Sequence, residues 1–347
     1  MNLVTGATGL LGSHIVEQLR RRGQPVRALV RPGSERTWLQ TQGVEFVEGD
    51  VTDLQALRRA CAGCDVVFHA AAKVGDWGRW SEFQRVTIDG TRNVVEAARS
   101  AGVRRLIHIS SISVYGYYTA EQTLDESDPV GFRLYRWSYY SRSKLQAERI
   151  ARAAHQPGVL EVTVIRPAWI YGERDRATMP RLVAMVRAGR ARIVGRGDNR
   201  LNIVYAGNVA EAAILAAGSA RAAGQVYNCS NDGIITQQEY FDLLAQSLGA
   251  APVRRRVPYR VAYSAGLALE CFWRLFRMRR PPFITRYAVW LMGRRSYFSA
   301  DKARRELGWQ PTTPYHVGIP RAVAWYLGQA AGASGTRLRA EAASVRL

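Results

Sequence analysis

The sequence predicts an α/β fold of the Rossmann type, a doubly wound parallel sheet with a smaller C-terminal substrate lobe, and three observations carry that expectation. Short β-rich apolar runs alternate with helical patterns through the first two hundred or so residues, which is the signature of βαβ units. A glycine-rich turn follows the first run directly. With 347 residues, 47% of them hydrophobic and 10% aromatic, the chain has the composition of a large packed core.

The pattern predicts strands at Leu3–Thr5, Val26–Val30, Val44–Val47, Val66–Ala70, Leu106–Ser110 and Val162–Arg166. Between them, apolar residues at helical spacing predict helices at Gly12–Arg22, Leu54–Ala60, Phe83–Ser100 and Tyr139–Ala154. Beyond Arg166 the alternation loosens into helical stretches at Met179–Ala188 and Gly207–Ala217. A further helix is opened by the capping box Thr236-Gln237-Gln238-Glu239. The expected domains are a dinucleotide-binding core over 1–166, a substrate lobe over 167–328 interleaved with the core's last strands, and a disordered tail over 329–347. That tail is rich in Ala, Gly, Ser and Arg without periodicity.

A net charge of +21 is the kind of value that marks nucleic-acid binding. Here the basic residues are spread along the whole chain, and nearly all are Arg; the only lysines are Lys73, Lys144 and Lys302. Compositional bias explains the excess, and no nucleic-acid partner is expected. Four cysteines are too few and too scattered for a disulfide scaffold. The Cys61-x-x-Cys64 pair has no second pair or neighbouring His to complete a tetrahedral site, so it reads as a helix end of small residues and no metal is expected. The chain runs from Met1 straight into an apolar strand without a basic leader, which suggests the cytoplasm. Val261 to Phe276 is interrupted by Ser264, Glu270 and Arg274, too polar to span a bilayer.

Gly6-Ala7-Thr8-Gly9-Leu10-Leu11-Gly12 joins the first strand to the first helix, the context a dinucleotide loop needs. Glycine lets the backbone turn tightly and approach a pyrophosphate, whose charge the amides at the helix N-terminus stabilise. At the end of the second strand, where a carboxylate would receive the adenosine ribose of NAD, this chain has Arg31, with Arg36 nearby. A guanidinium pairs with a 2′-phosphate, so NADP is favoured over NAD.

Tyr140-Ser141-Arg142-Ser143-Lys144 sets Tyr and Lys four apart on a predicted helix, where both lie on one face. A phenol titrates near pH 10, and an adjacent ammonium favours the phenolate, so the pair suits proton exchange with an alcohol or ketone. An isolated Tyr-x-x-x-Lys is more often an amphipathic surface pattern. Two features point to chemistry instead. Lys144 is a rare lysine where Arg would substitute poorly, and the helix follows Ser110 and Ser111 at the C-terminal edge of the sheet, where open α/β sheets bind ligands.

Together these motifs resemble the extended short-chain dehydrogenase/reductases, over roughly Asn2 to Leu327. The resemblance implies a catalytic Ser111, Tyr140 and Lys144, with Ser111 aligned through Val114-Tyr115-Gly116. It also implies Asp50 and Val51 at the adenine, Ala70, Ala71 and Ala72 along the dinucleotide, and Pro167, in Arg166-Pro167-Ala168-Trp169-Ile170-Tyr171-Gly172, beside the nicotinamide. Ala71-Ala72-Lys73-Val74-Gly75-Asp76-Trp77-Gly78, Tyr205-Ala206-Gly207-Asn208-Val209-Ala210 and Arg280-Pro281-Pro282-Phe283 with Phe298-Ser299 are similar to the branch of 3β-hydroxysteroid and sterol-carboxylate dehydrogenases and bacterial 2-alkyl-3-oxoalkanoic acid reductases. Thr87 departs from the Asn of many relatives, and Arg31 from the Asp of NAD-dependent steroid enzymes.

The expected reaction is hydride transfer between nicotinamide and a secondary alcohol or ketone on an apolar, sterol-like or 3-oxoacid-like substrate. A nucleotide-sugar epimerase uses the same parts. A sugar dehydratase fits less well, because Ile112 rather than an acid follows Ser111. A noncatalytic cofactor-bound assembly or sensor protein is the alternative from another class. Within the aromatic segment 257–291, a helix with Leu267, Cys271, Leu275 and Met278 on one stripe and Glu270, Arg274 and Arg277 on the other is open to two readings. It either caps the core, or it lines a substrate entrance and lies on anionic lipid with the help of Arg277, Arg279 and Arg280. A homodimer is compatible with either.

Overall fold

Seven strands form one sheet: β1 (Asn2–Thr5), β2 (Val26–Val30), β3 (Glu45–Glu48), β4 (Val66–His69), β5 (Arg105–Ile109), β6 (Glu161–Pro167) and β7 (Val226–Cys229). Their order is β7-β6-β5-β4-β1-β2-β3, and every pairing is parallel. The computed structural model describes residues 1–118, 120–230, 233–278 and 280–344, with side chains as far as Gln329. The six strands read from sequence are all present, within a residue or so at each end. β7 is the addition. Val226-Tyr227-Asn228-Cys229 is short and carries Asn in its middle, so its strand character comes from pairing on β6 and from complete burial.

Helices cover both faces, which is why the strands read as continuous apolar runs. On one face Leu10–Arg21 packs against Ala206–Gly218 through Ile15, Val16, Leu19, Val209 and Ala213. On the other, Leu54–Cys61, Gly90–Ser100 and Tyr139–Ala153 bury Leu57, Ala60, Val94, Ala98 and Ala151. Cys61 closes its helix, and burial pushes its thiol up to about 12, which leaves it unreactive. Arg105 lies in the sheet and is 2% exposed. It pairs with Glu161 and donates to the carbonyls of Ala216 (3.0 Å), Ala217 (3.1 Å) and Ser219, closing the C-terminal end of the Ala206–Gly218 helix.

A third cluster, with Tyr171, Val183, Ile203, Phe241, Leu244 and Ile319, forms the lobe over the C-terminal edge of the sheet. The capping box is present: Thr236 Oγ1 accepts the Glu239 amide at 3.2 Å, and Glu239 Oε2 accepts the Thr236 amide at 2.7 Å.

Three expectations change. The single helix Phe83–Ser100 is instead Trp80–Phe83, a π-helical turn Gln84–Asp89 and Gly90–Ser100. Wide turns of this kind cluster at functional sites. Thr87, inside it, accepts the Lys73 amide at 3.0 Å and so ties the turn to the loop after β4. The closing helix Tyr315–Ser344 runs through most of the stretch given as a tail, since its alanines favour helix even without an apolar stripe; residues 345–347 lie outside the described residues.

The third change concerns the Tyr259–Leu275 helix. Its buried residues are Ala262, Gly266 and Glu270, while Leu275 is 76%, Phe276 61% and Phe272 51% exposed. The apolar stripe therefore faces outward and a carboxylate faces inward. The cause is Arg286, which donates to Glu270 from its amide (2.7 Å), Nε (2.9 Å) and Nη2 (2.6 Å) while stacking on Trp137 at 4.0 Å. Reading the stripe as a lid on the core is thereby corrected. Arg279 lies outside the described residues.

Candidate active site

The strand order reverses between β1 and β4, and the crevice at their C-terminal ends is where such sheets take ligands. The 6–12 loop fills one side of it. Gly6 has φ +73°, and a Cβ there would lie 2.7 Å from the Ala71 amide; a Cβ on Gly12 would lie 2.1 Å from the Gly6 carbonyl. Both positions therefore admit only glycine. Gly9 caps the Leu10–Arg21 helix with no side chain on its amides and no acid in its first turn, so this N-terminus is free to face an anion. Thr8 and Leu10 are half-buried at the loop surface, whereas the Leu11 side chain turns into the core.

Ala70, Ala71 and Ala72 run half-buried from the end of β4, with the Ala70 amide on the Thr5 carbonyl at 3.2 Å. The Asp50 carboxylate accepts the Thr52 amide at 2.9 Å, and Val51 is buried beneath Gly90. Pro167 ends β6 and is buried. Arg31 stands exposed just after β2 and makes no ion pair among the described residues; Arg36 lies 3.5 Å from Glu48.

Ser111, Tyr140 and Lys144 come together across the crevice. Ser111, just past β5, accepts the Ser113 amide at 3.1 Å, which fixes its hydroxyl. Tyr139 packs on Trp80 (5.6 Å) and Phe83 (6.1 Å), and Tyr140 beside it meets Tyr287 at 6.3 Å. Burial pushes the Tyr140 phenol up, and a hydrogen bond with Ser111 pulls it part of the way back. Lys144, 4% exposed, donates to the Ile109 carbonyl at 2.8 Å. Burial brings its ammonium down to about 8, opposed by Glu148. Lys144 thus sits on the strand end, and the local influence on Tyr140 comes from Ser111. The expectation that the ammonium lowers the phenol is corrected on this point, because desolvation outweighs any gain.

Sequence reasoning missed Glu148. One turn past Lys144, it is 1% exposed, accepts Ser110 Oγ at 2.6 Å and receives Arg166 at 2.5 Å. Arg166 in turn donates to Tyr115 Oη at 2.9 Å. The available signal was its four-residue spacing from Lys144. Also missed were Tyr117 and Ser138 beside Tyr140 and Trp80 farther out, whereas Tyr287, Trp273 and Arg274, which line the same cavities, belong to the segment 257–291 read as one side of a substrate entrance. Among the described residues no cluster of three or more His, Cys, Asp or Glu could hold a metal.

The chain matches the description "NAD dependent epimerase/dehydratase family" over residues 2–230. It belongs to that family. Similar proteins include the 2-alkyl-3-oxoalkanoate reductase of Stenotrophomonas maltophilia, 34% identical over 92% of this chain and 97% of the relative. The decarboxylating sterol-4-alpha-carboxylate 3-dehydrogenase of Mus musculus is 29% identical over 92% of this chain and 89% of the relative. Among solved structures, MoeE5 in complex with UDP-glucose and NAD matches with a TM-score of 0.73 and 26% identity, over 94% of this chain and 99% of that one. The epimerase/dehydratase member described here is accordingly an oxidoreductase of the extended short-chain dehydrogenase/reductase type that uses a nicotinamide dinucleotide, in the branch its motifs indicated. No helix among its described residues is long and apolar enough to cross a membrane.

Proposed function

We propose that this oxidoreductase interconverts a secondary alcohol and a ketone on an apolar, sterol-like or 3-oxoacid-like substrate, with Ser111, Tyr140 and Lys144 as its working residues and NADP as its preferred cofactor. The observation that carries the reading is the hydrogen bond between Ser111 and Tyr140, with Lys144 on the adjoining strand end and Tyr140 lining a cavity beside an outer cleft walled by tryptophans. Gly6, Thr8, Gly9, Leu10, Leu11 and Gly12 would hold the pyrophosphate, Asp50 and Val51 the adenine, Ala70 to Ala72 and Pro167 the rest of the dinucleotide, and Arg31 a 2′-phosphate. The bound nicotinamide supplies or accepts the hydride.

In the reductive direction Tyr140 gives its proton to the substrate oxygen, and Ser111 donates a hydrogen bond to that oxygen as charge builds on it. Burial keeps the phenol protonated at neutral pH, so the proton to be delivered is in place. The Lys144 ammonium, held on the Ile109 carbonyl, would hold the nicotinamide ribose. The outward apolar stripe, followed by Arg277 and Arg280, supports a peripheral seat on the anionic cytoplasmic face of a membrane.

The test is a titration of purified protein with NADPH and NADH, then a screen of sterol and 3-oxoacid ketones with the tighter cofactor. NADPH is expected to bind more tightly, and Arg31→Asp to reverse the preference. Equal NADH binding would overturn the role of Arg31, and UDP-hexose turnover with no net cofactor change would overturn the reductase reading.

A further inference from the structure

The chemistry at Tyr140 leaves one part of the cavity unused. An outer cleft of about 830 Å³ opens between the loop after β4 and the end of the Tyr259–Leu275 helix. Trp77, Trp80 and Trp273 supply apolar walls, and Arg79, Arg274 and Arg277 supply cations. The cleft adjoins the narrow cavity at Tyr140, and Arg274, Asp76 and Tyr139 line both. Arg274 lies 5.6 Å from the Trp77 ring and 5.8 Å from the Tyr139 ring, and none of the three arginines makes an ion pair among the described residues.

The nearby carboxylates are already engaged. Lys73 takes Glu82 at 2.9 Å, and Arg286 takes Glu270 at 2.6 Å. Asp76 receives the Thr285 hydroxyl, and burial pushes its carboxyl up from the ordinary carboxylate range. Arg79, Arg274 and Arg277 thus line the cleft without carboxylate partners among the described residues, with flat apolar walls behind them. A guanidinium binds a carboxylate through two parallel hydrogen bonds, and indoles give an alkyl chain large contact area.

We propose that Arg274 anchors a carboxylate on the substrate, with Arg79 and Arg277 at the rim, so that this site selects long-chain 3-hydroxy and 3-oxo acids over neutral sterols and ketones. The proposal rests on the reading of Tyr140 as the acid/base. In a 3-hydroxy acid a single carbon separates the carboxylate from the carbinol, so a carboxylate held at the neck presents the carbinol to Tyr140. On oxidation the C3 hydrogen leaves as hydride to the nicotinamide and the hydroxyl proton passes to Tyr140, giving the 3-oxo acid.

The experiment compares a long-chain 2-alkyl-3-hydroxyalkanoic acid, stable where 3-oxo acids lose carbon dioxide, with its methyl ester. Binding is read by tryptophan fluorescence and turnover by reduced-cofactor formation. Wild type should favour the acid at least ten-fold in kcat/KM, the scale of a charge-assisted hydrogen bond. Arg274→Gln should bring the ratio to about one, chiefly through KM, and Arg274→Lys should restore part of it. Acid and ester handled alike by wild type, or a ratio that Arg274→Gln leaves intact, would overturn the anchor. Acid binding that depends on Arg274 without turnover of either compound would uphold the anchor and overturn the Tyr140 reading.

Discussion

Tyr140 and Lys144 are four residues apart, and burial moves both away from the charged form: the phenol goes up, and the ammonium comes down to about 8. If Tyr140 moves the proton, Tyr140→Phe should lower kcat about 10²- to 10⁴-fold with cofactor binding retained, as followed by fluorescence titration. The sign of the Lys144 shift predicts a pH break. Its ammonium is charged below about 8, so reductive kcat/KM should be level on the acid side and fall as pH rises through 8. Lys144→Met should abolish the break in a pH–rate profile. The glycines and this spacing were legible in the sequence because each is a rule about a few adjacent residues. The 2.8 Å bond from Lys144 to the Ile109 carbonyl was not, since it joins a helix to a strand end 35 residues earlier.

At the scale of elements, the Tyr259–Leu275 helix is the instructive case. Helical spacing separated Leu267, Cys271 and Leu275 from Glu270 and Arg274, with Arg277 and Met278 falling past the helix end, but which stripe faces inward depends on Arg286 and Trp137, partners from either side of it in the sequence. Because Leu275 and Phe276 are exposed, Leu275→Ser with Phe276→Ser should change folding stability by no more than about 0.5 kcal/mol in urea unfolding. The same variant should no longer sediment with phosphatidylglycerol vesicles that carry down the wild type. If instead it turns a dimer into a monomer without affecting vesicle binding, a second copy of the chain covers this face. The π-helical turn Gln84–Asp89 was illegible for a similar reason. Thr87 is bound there by the Lys73 amide, a contact that periodicity does not encode.

Across the whole molecule, one buried chain of polar contacts ties the Tyr139–Ala153 helix to the sheet. Ser110 and Arg166 meet on Glu148, Arg166 reaches Tyr115, and Tyr115 donates to the carbonyl of Asp125 (2.7 Å) with Asn228 on β7 2.9 Å away. Glu148→Ala would leave the Arg166 guanidinium buried without its carboxylate. It should cost about 3–5 kcal/mol in denaturant unfolding, where exposed Glu96→Ala, removing the partner of Arg58, should cost under about 1 kcal/mol.

The sequence by itself determined the alternation of strands and helices, the glycine loop, and the positions of Ser111, Tyr140 and Lys144, because periodicity, left-handed turns and one-turn spacing are properties of short segments. Only the tertiary structure decided the seventh strand, the outward stripe, the seat of Lys144 and the joining of Arg274 to the Tyr140 cavity. Each of these depends on burial and on charge partners brought from distant parts of the chain, and a residue's desolvation is set by what packs over it.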